Sequence, residues 1–129
     1  MSQASDLPSL TPYILRAFYE WCVDHDFTPQ IVVVAEKEDV DVQVPRAYVQ
    51  DGKITLDISP EATGSLEIEN DSIHFDARFS GEIEHIWVPI GNVIAIFAPE
   101  NGAGIPFELD RSRKSEPNPS AGPGFTRVE

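Results

Sequence analysis

The sequence predicts a mainly β protein with a single N-terminal α-helix, on three observations. Helical spacing of apolar residues is confined to one stretch near the N-terminus. Residues 31–98 follow a period of two instead, and turn-forming residues punctuate that region at short intervals. The chain has 129 residues, 41% of them hydrophobic, which suits one domain with its own core. Eleven prolines limit the helical content.

Taken in order, Thr11 and Pro12 read as an N-cap followed by proline at the first helical position. Over residues 13–23, Ile14, Phe18 and Trp21 form one apolar stripe, and Leu15, Tyr19 and Cys22 form another beside it. Arg16, Glu20 and Asp24 leave only a narrow polar face. One sheet surface covers one stripe. The second either packs beneath a loop of the same chain or joins two copies of the helix. Residues 26–29 end the helix at Pro29, and residues 31–34 read as a strand buried on both faces or curled into a barrel. Val40, Val42 and Val44 alternate with Asp41 and Gln43, which predicts a strand ending at Pro45. Tyr48, Val49 and Gln50, then Asp51-Gly52, then Ile54, Leu56 and Ile58 form the clearest hairpin. Leu66 and Ile68 alternate with Glu67 and Glu69 before a turn at residues 70–72. Ile73, Phe75, Ala77 and Phe79 then alternate with His74, Asp76, Arg78 and Ser80. Residues 83–88 and 93–98 complete the strands, and Gly102-Ala103-Gly104 reads as a turn. The pattern predicts a small antiparallel barrel or sandwich, closed or flanked by the helix.

Acidic residues outnumber basic ones 22 to 9, a net charge of −13. That balance argues against nucleic-acid binding through neutralised phosphates, and against attraction to an anionic membrane surface. The charge is uneven. Residues 1–109 hold 19 acidic and 5 basic side chains, whereas residues 110–129 carry a net of +1. The division predicts a folded body over 1–109 and a separate tail over 110–129. Within the tail, residues 115–124 read SEPNPSAGPG, too poor in apolar side chains to fold, and predict a flexible, disordered linker. Phe125, Thr126, Arg127 and Val128 follow, either a frayed end or a short docking motif on a tether. No stretch approaches the ~18 apolar residues of a membrane span, and the first ten residues lack an export pattern. The expectation is a soluble cytoplasmic protein.

Catalytic signatures are missing. Cys22 is the one cysteine, so neither a disulfide framework nor a multi-cysteine zinc site forms, and its place on an apolar stripe reads as packing. His25, His74 and His85 lack metal-ligand spacing; His74 and Asp76 share a strand face that reads as solvated. There is no nucleophile elbow, phosphate loop or dinucleotide fingerprint, and no carboxylate pair stands out from so acidic a background. We therefore expect no enzyme activity, no cofactor and no metal.

Several blocks carry a family resemblance. The stretch from Thr11 to Trp21, TPYILRAFYEW, resembles the N-terminal helix of the stringent starvation protein B (SspB) family. Phe27-Thr28-Pro29, Val44-Pro45, Asp51-Gly52-Lys53-Ile54, Ala62-Thr63-Gly64, Phe75-Asp76-Ala77-Arg78-Phe79 and Glu100-Asn101-Gly102-Ala103-Gly104 resemble further blocks of that family, in the same order. The resemblance implies an adaptor that binds the ssrA degradation tag on polypeptides from stalled ribosomes and delivers them to the ClpXP protease. It implies an Sm-like or SH3-like barrel behind the helix, a homodimer through Ile14, Leu15, Phe18, Tyr19, Trp21 and Cys22, and a tail whose Phe125, Thr126, Arg127 and Val128 dock on the ClpX zinc-binding domain. It also implies a peptide groove built from Ala62, Thr63, Phe75, Ala77, Arg78 and Phe79. Small Ala62 and Ala77 would leave room for peptide side chains, Phe79 would supply an apolar wall, and the Arg78 guanidinium would offer donors to a carboxylate or carbonyl. The sequence departs from the family pattern at Pro99, usually Arg, at Pro106, often Met, and at Glu129, usually basic. The rival readings are an Sm-like RNA-binding protein, a general peptide-binding module without protease docking, and an enzyme with a carboxylate site.

Overall fold

The computed structural model describes residues 8–111. Helix α1 (Thr11–Asp24) is followed by β1 (Gln30–Val34), β2 (Lys53–Asp57), β3 (Thr63–Ile68), β4 (Ser72–Phe79), β5 (Glu82–Pro89), β6 (Val93–Ala98) and β7 (Ala103–Pro106). The strands form two antiparallel sheets, ordered β2-β1-β6-β7 and β3-β4-β5. One apolar cluster unites them: Ile31, Val33, Leu56 and Ile96 from the first sheet, Ile73, Phe75, Ile86 and Val88 from the second, and Leu15, Phe18 and Cys22 from α1. The mainly β architecture with one helix is as the sequence predicts.

The helix starts one residue before its expected cap. Leu10 holds the N-cap position, Thr11 is already helical, and the Thr11 N–H donates to Ser9 Oγ at 3.1 Å. Pro12 falls in the first turn, where its missing N–H removes no helical bond. At the other end Asp26 takes a positive φ of 61°, so that the Phe27 N–H reaches back to the Cys22 carbonyl at 2.8 Å. The buried line runs through Pro12, Leu15, Phe18 and Cys22, crossing both stripes. Arg16 ties the helix to the second sheet by donating to the Ile68 carbonyl at 2.8 Å.

The sheets do not close into one barrel, and the expected strand at residues 40–44 explains why. Those residues form turns, because Arg46 donates to the carbonyls of Ala35, Asp39 and Val42, each at 3.0 Å, and curls the segment around its guanidinium. Only Gln43 keeps a sheet-like contact, exchanging backbone bonds of 2.8 and 3.1 Å with Trp87 on β5. A single bridge thus stands where a full strand would have joined the sheets. The arm before the Asp51-Gly52 turn is likewise short, with a 3-10 turn at Arg46–Tyr48 and one bridge from Gln50 to Lys53. Gly52 is required twice over. Its φ is +75°, and a Cβ there would lie 2.8 Å from Glu36 Cγ. Residues 102–104 are more than the expected turn: Gly102 turns the chain, but Ala103–Pro106 is strand β7. Gly104 passes so close to β6 that a Cβ would come within 2.9 Å of Phe97 Cβ. Among the described residues no helix is long and apolar enough to cross a membrane.

Arg111, the last described residue, anchors the end of the body. It donates to both oxygens of Asp39 at 2.7 and 2.9 Å and to Glu36 at 3.0 Å. Asp39 is only 6% exposed. The Arg111 hydrogen bond holds its carboxyl down at about 2 against the raising effect of burial, with further lowering by the Glu36 N–H and Asn92. An unfolded Asp titrates near ~3.9. The folded value is the lower one, so this contribution to stability is complete above that pH and is lost as pH falls from about 4 to about 2. It amounts to roughly 2–3 kcal/mol. Urea melts over that pH range should show the loss in the parent, and Arg111→Gln should be weaker at pH 6 with a flatter slope below pH 4. Identical slopes in the two proteins would contradict the linkage.

Candidate peptide-binding site

The β3–β4 register assembles the site. Thr63 stands opposite Ala77 and Gly64 opposite Asp76, and then Glu67 stands opposite His74, so β3 carries one extra residue. Ser65 absorbs it with a φ of 54°, a bulge that bends this edge strand. Thr63 Oγ1 donates to the Ser59 carbonyl at 2.9 Å, which fixes the approach to β3. As a result Ala62, Thr63, Ala77 and Arg78 meet around one cleft of about 470 Å³, together with Glu61, Gly64, Asp76 and Ile83. Its apolar surface comes from the two alanines and Ile83, which is 60% exposed. Arg78 is exposed and, among the described residues, makes only a long 3.4 Å bond to the Gly81 carbonyl, which leaves donors for a ligand. Asp76 is hydrogen-bonded to His85 across the β4–β5 pair. The cleft therefore offers bare backbone at Gly64, small apolar side chains and charges of both signs, a combination suited to a short extended peptide.

Phe75 and Phe79 lie elsewhere. Phe75 is 3% exposed and belongs to the core, so it supports the strand from beneath. Phe79 lines a second cleft, also about 470 Å³, with Val32, Tyr48, Lys53 and Thr55. Its ring centroid is 4.9 Å from that of Tyr48, whose hydroxyl is hydrogen-bonded to Ser80. Sequence reasoning missed Ile83, Tyr48 and Lys53. Ile83 was within reach, because a two-residue turn at Ser80-Gly81 sets it opposite Arg78. Tyr48 was not, since its position depends on the 3-10 turn.

On α1, Leu15, Phe18 and Cys22 are buried within the chain's own core. Burial, and secondarily Glu100, pushes the Cys22 thiol up, which suits packing and not nucleophilic chemistry. Ile14 and Tyr19 are half-buried. Tyr19 faces a third cleft of about 380 Å³ between α1 and β3, lined also by Arg16, Val23, Leu66 and Ile68. Trp21 is 39% exposed, and its ring lies 5.2 Å from Phe27 and 5.4 Å from Phe18. With exposed Leu10, Tyr13 and Ala17 it forms an apolar strip along the outer side of the helix. Phe125, Thr126, Arg127 and Val128, and the linker before them, lie outside the described residues.

Comparison with known proteins adds two findings. The family model described as SspB, stringent starvation protein B, matches residues 9–124. A stringent starvation protein B homolog from Haemophilus influenzae is 50% identical over 97 residues, which is 75% of this chain and 63% of that relative. The chain thus matches less than two thirds of the relative's length.

Proposed function

The chain belongs to the stringent starvation protein B family, and we propose that it is an adaptor that binds ssrA-tagged polypeptides from stalled ribosomes and delivers them to the ClpXP protease. The observation that most supports this reading is the meeting of Ala62 and Thr63 with Ala77 and Arg78 around one cleft. These residues come from two separate sequence blocks, and the bulged register sets Thr63 opposite Ala77 and Gly64 opposite Asp76. A tag peptide lying there would place small side chains over the alanines and a carbonyl or carboxylate against Arg78, a charge-assisted bond. Nothing in this role calls for bond-making chemistry by the adaptor, since the unfoldase supplies the work.

Delivery then follows from tethering. The body holds the tag, the outer strip of α1 pairs two copies, and Phe125 to Val128 dock each copy on the ClpX zinc-binding domain. Joining tag and unfoldase through one short chain raises the local substrate concentration toward the millimolar range (~mM), and two tails add avidity.

Fluorescence polarisation with a labelled ssrA peptide, run beside a ClpXP degradation assay, tests both halves. The full chain should bind the peptide and accelerate degradation of a tagged substrate. Deleting residues 123–129 should leave peptide affinity within about twofold and remove the acceleration. Absence of binding by the full chain overturns the adaptor reading. Loss of peptide binding in the truncation overturns the division between body and tail.

A further inference from the structure

We propose that Glu67, Glu69 and His74 bind a divalent transition-metal ion such as Zn²⁺ on the outer face of the β3–β4 pair, outside the peptide cleft. Glu67 and Glu69 are two apart on one strand and so share a face. His74 stands directly opposite Glu67. The pair lies on the turn side of the bulge, where the Glu69 N–H donates to the Ser72 carbonyl at 2.8 Å and holds the register.

His74 Nε2 lies 3.9 Å from Glu67 Oε1 and 3.6 Å from Glu69 Oε1. One ligand atom from each of the three residues falls within 4.8 Å of the other two. Zn²⁺ takes imidazole nitrogen and carboxylate oxygen at about 2.0–2.2 Å, which sets tetrahedral ligands roughly 3.4 Å apart. The two His74–glutamate distances are within about half an ångström of that spacing, and the glutamate oxygens, no more than 4.8 Å apart, close by rotation of two exposed side chains. The nitrogen donor favours Zn²⁺, Ni²⁺ or Cu²⁺ over Mg²⁺, which prefers oxygen and keeps its water. Two carboxylates beside one imidazole repel each other at neutral pH, and a dication relieves that repulsion. A body with 19 acidic and 5 basic side chains also concentrates cations at its surface. Three protein ligands leave a fourth position for water or for an outside donor. The bound ion would join β3, the edge strand that carries Thr63 and Gly64, to its neighbour β4.

Calorimetric titration of the full chain, free of any polyhistidine tag, with ZnCl₂ and then MgCl₂ tests the site. The expected result is one Zn²⁺ per chain and no Mg²⁺ binding. His74→Gln and Glu69→Gln should each weaken Zn²⁺ binding by about tenfold or more, while His85→Gln should match the parent. Circular dichroism checks that each variant is folded, and if His74→Gln is not, Glu69→Gln decides. Zn²⁺ affinity unchanged in Glu69→Gln or in a folded His74→Gln, or lost in His85→Gln, would overturn the proposal, as would a parent that binds no Zn²⁺.

Discussion

Replacing Ala77 by Gln is expected to abolish ssrA-peptide binding while leaving the fold intact. Ala77 lies between buried Phe75 and exposed Arg78, opposite Thr63, and lines the cleft together with Gly64, which contributes no side chain. The cleft can admit a peptide there because both residues are so small. A glutamine would extend into that space and add an amide that competes with the peptide for the same donors and acceptors. Loss of the occluded contacts should weaken binding by at least ~100-fold, near 2.8 kcal/mol. Stability should fall by no more than about 1–3 kcal/mol, because half-buried Ala77 borders the core as well as the cleft. Polarisation with labelled peptide reads the first quantity and urea melts read the second. Phe79→Ala supplies the contrast, since Phe79 lines the other cleft with Tyr48. Full binding by Ala77→Gln with loss in Phe79→Ala would move the peptide to the Tyr48 side and refute the assignment made here.

How far the site was legible depends on which interactions set it. Asp51-Gly52 and Ser80-Gly81 are two-residue turns with both φ values positive, and such turns fix the register of the strands around them. Across Ser80-Gly81 the pairing runs the whole length of β4 and β5, whereas the hairpin expected at Asp51-Gly52 keeps only the Gln50–Lys53 bridge. The alternation on β4 correctly placed Phe75, Ala77 and Phe79 on one face, but period two says nothing about depth. Phe75 lies mid-strand in the core, whereas Phe79 lies at the strand end beside Tyr48. The valines at 40, 42 and 44 misled because alternation competes with a nearby partner: Arg46 draws the Val42 carbonyl together with those of Ala35 and Asp39, which curls the segment into turns. The bulge on β3 carried no local signal, since Ser65 and not glycine takes the positive φ. That one residue decides which β4 residues Thr63 and Gly64 face across the cleft. On α1, the two stripes were visible but the covered side was not. Tertiary packing selected Pro12, Leu15, Phe18 and Cys22, a line no single stripe contains. The family resemblance named Ala62, Thr63, Ala77 and Arg78, which share one cleft, and also Phe75 and Phe79, which do not line it.

The proposed helix-to-helix dimer makes the second large prediction: Ala17→Glu should convert the protein to a monomer. Ala17 is exposed at the middle of the outer strip, with Tyr13 and Ile14 one turn before it and Trp21 one turn after. In a two-fold dimer, a residue near the axis meets its own copy. A small alanine there lets the helices approach closely; a glutamate brings two like charges together and separates the apolar surfaces on either side. The dimer dissociation constant should rise by roughly 100-fold or more, as expected when a like-charge pair and lost packing combine. The protomer should survive, because glutamate is a good helix former and Leu15, Phe18 and Cys22 hold α1 to its own core. Light scattering should then report the single 14.3 kDa chain mass where the parent reports twice that value, with an unchanged far-ultraviolet spectrum. A dimeric Ala17→Glu variant would place the interface elsewhere, and a monomeric parent would remove the proposed role of this helix. The consequence for delivery follows from having one tail in place of two. Each monomer keeps a complete cleft, since Ala62, Thr63, Ala77 and Arg78 all come from one chain. Peptide affinity should therefore persist while accelerated degradation falls, separating recognition of the tag from the avidity of docking.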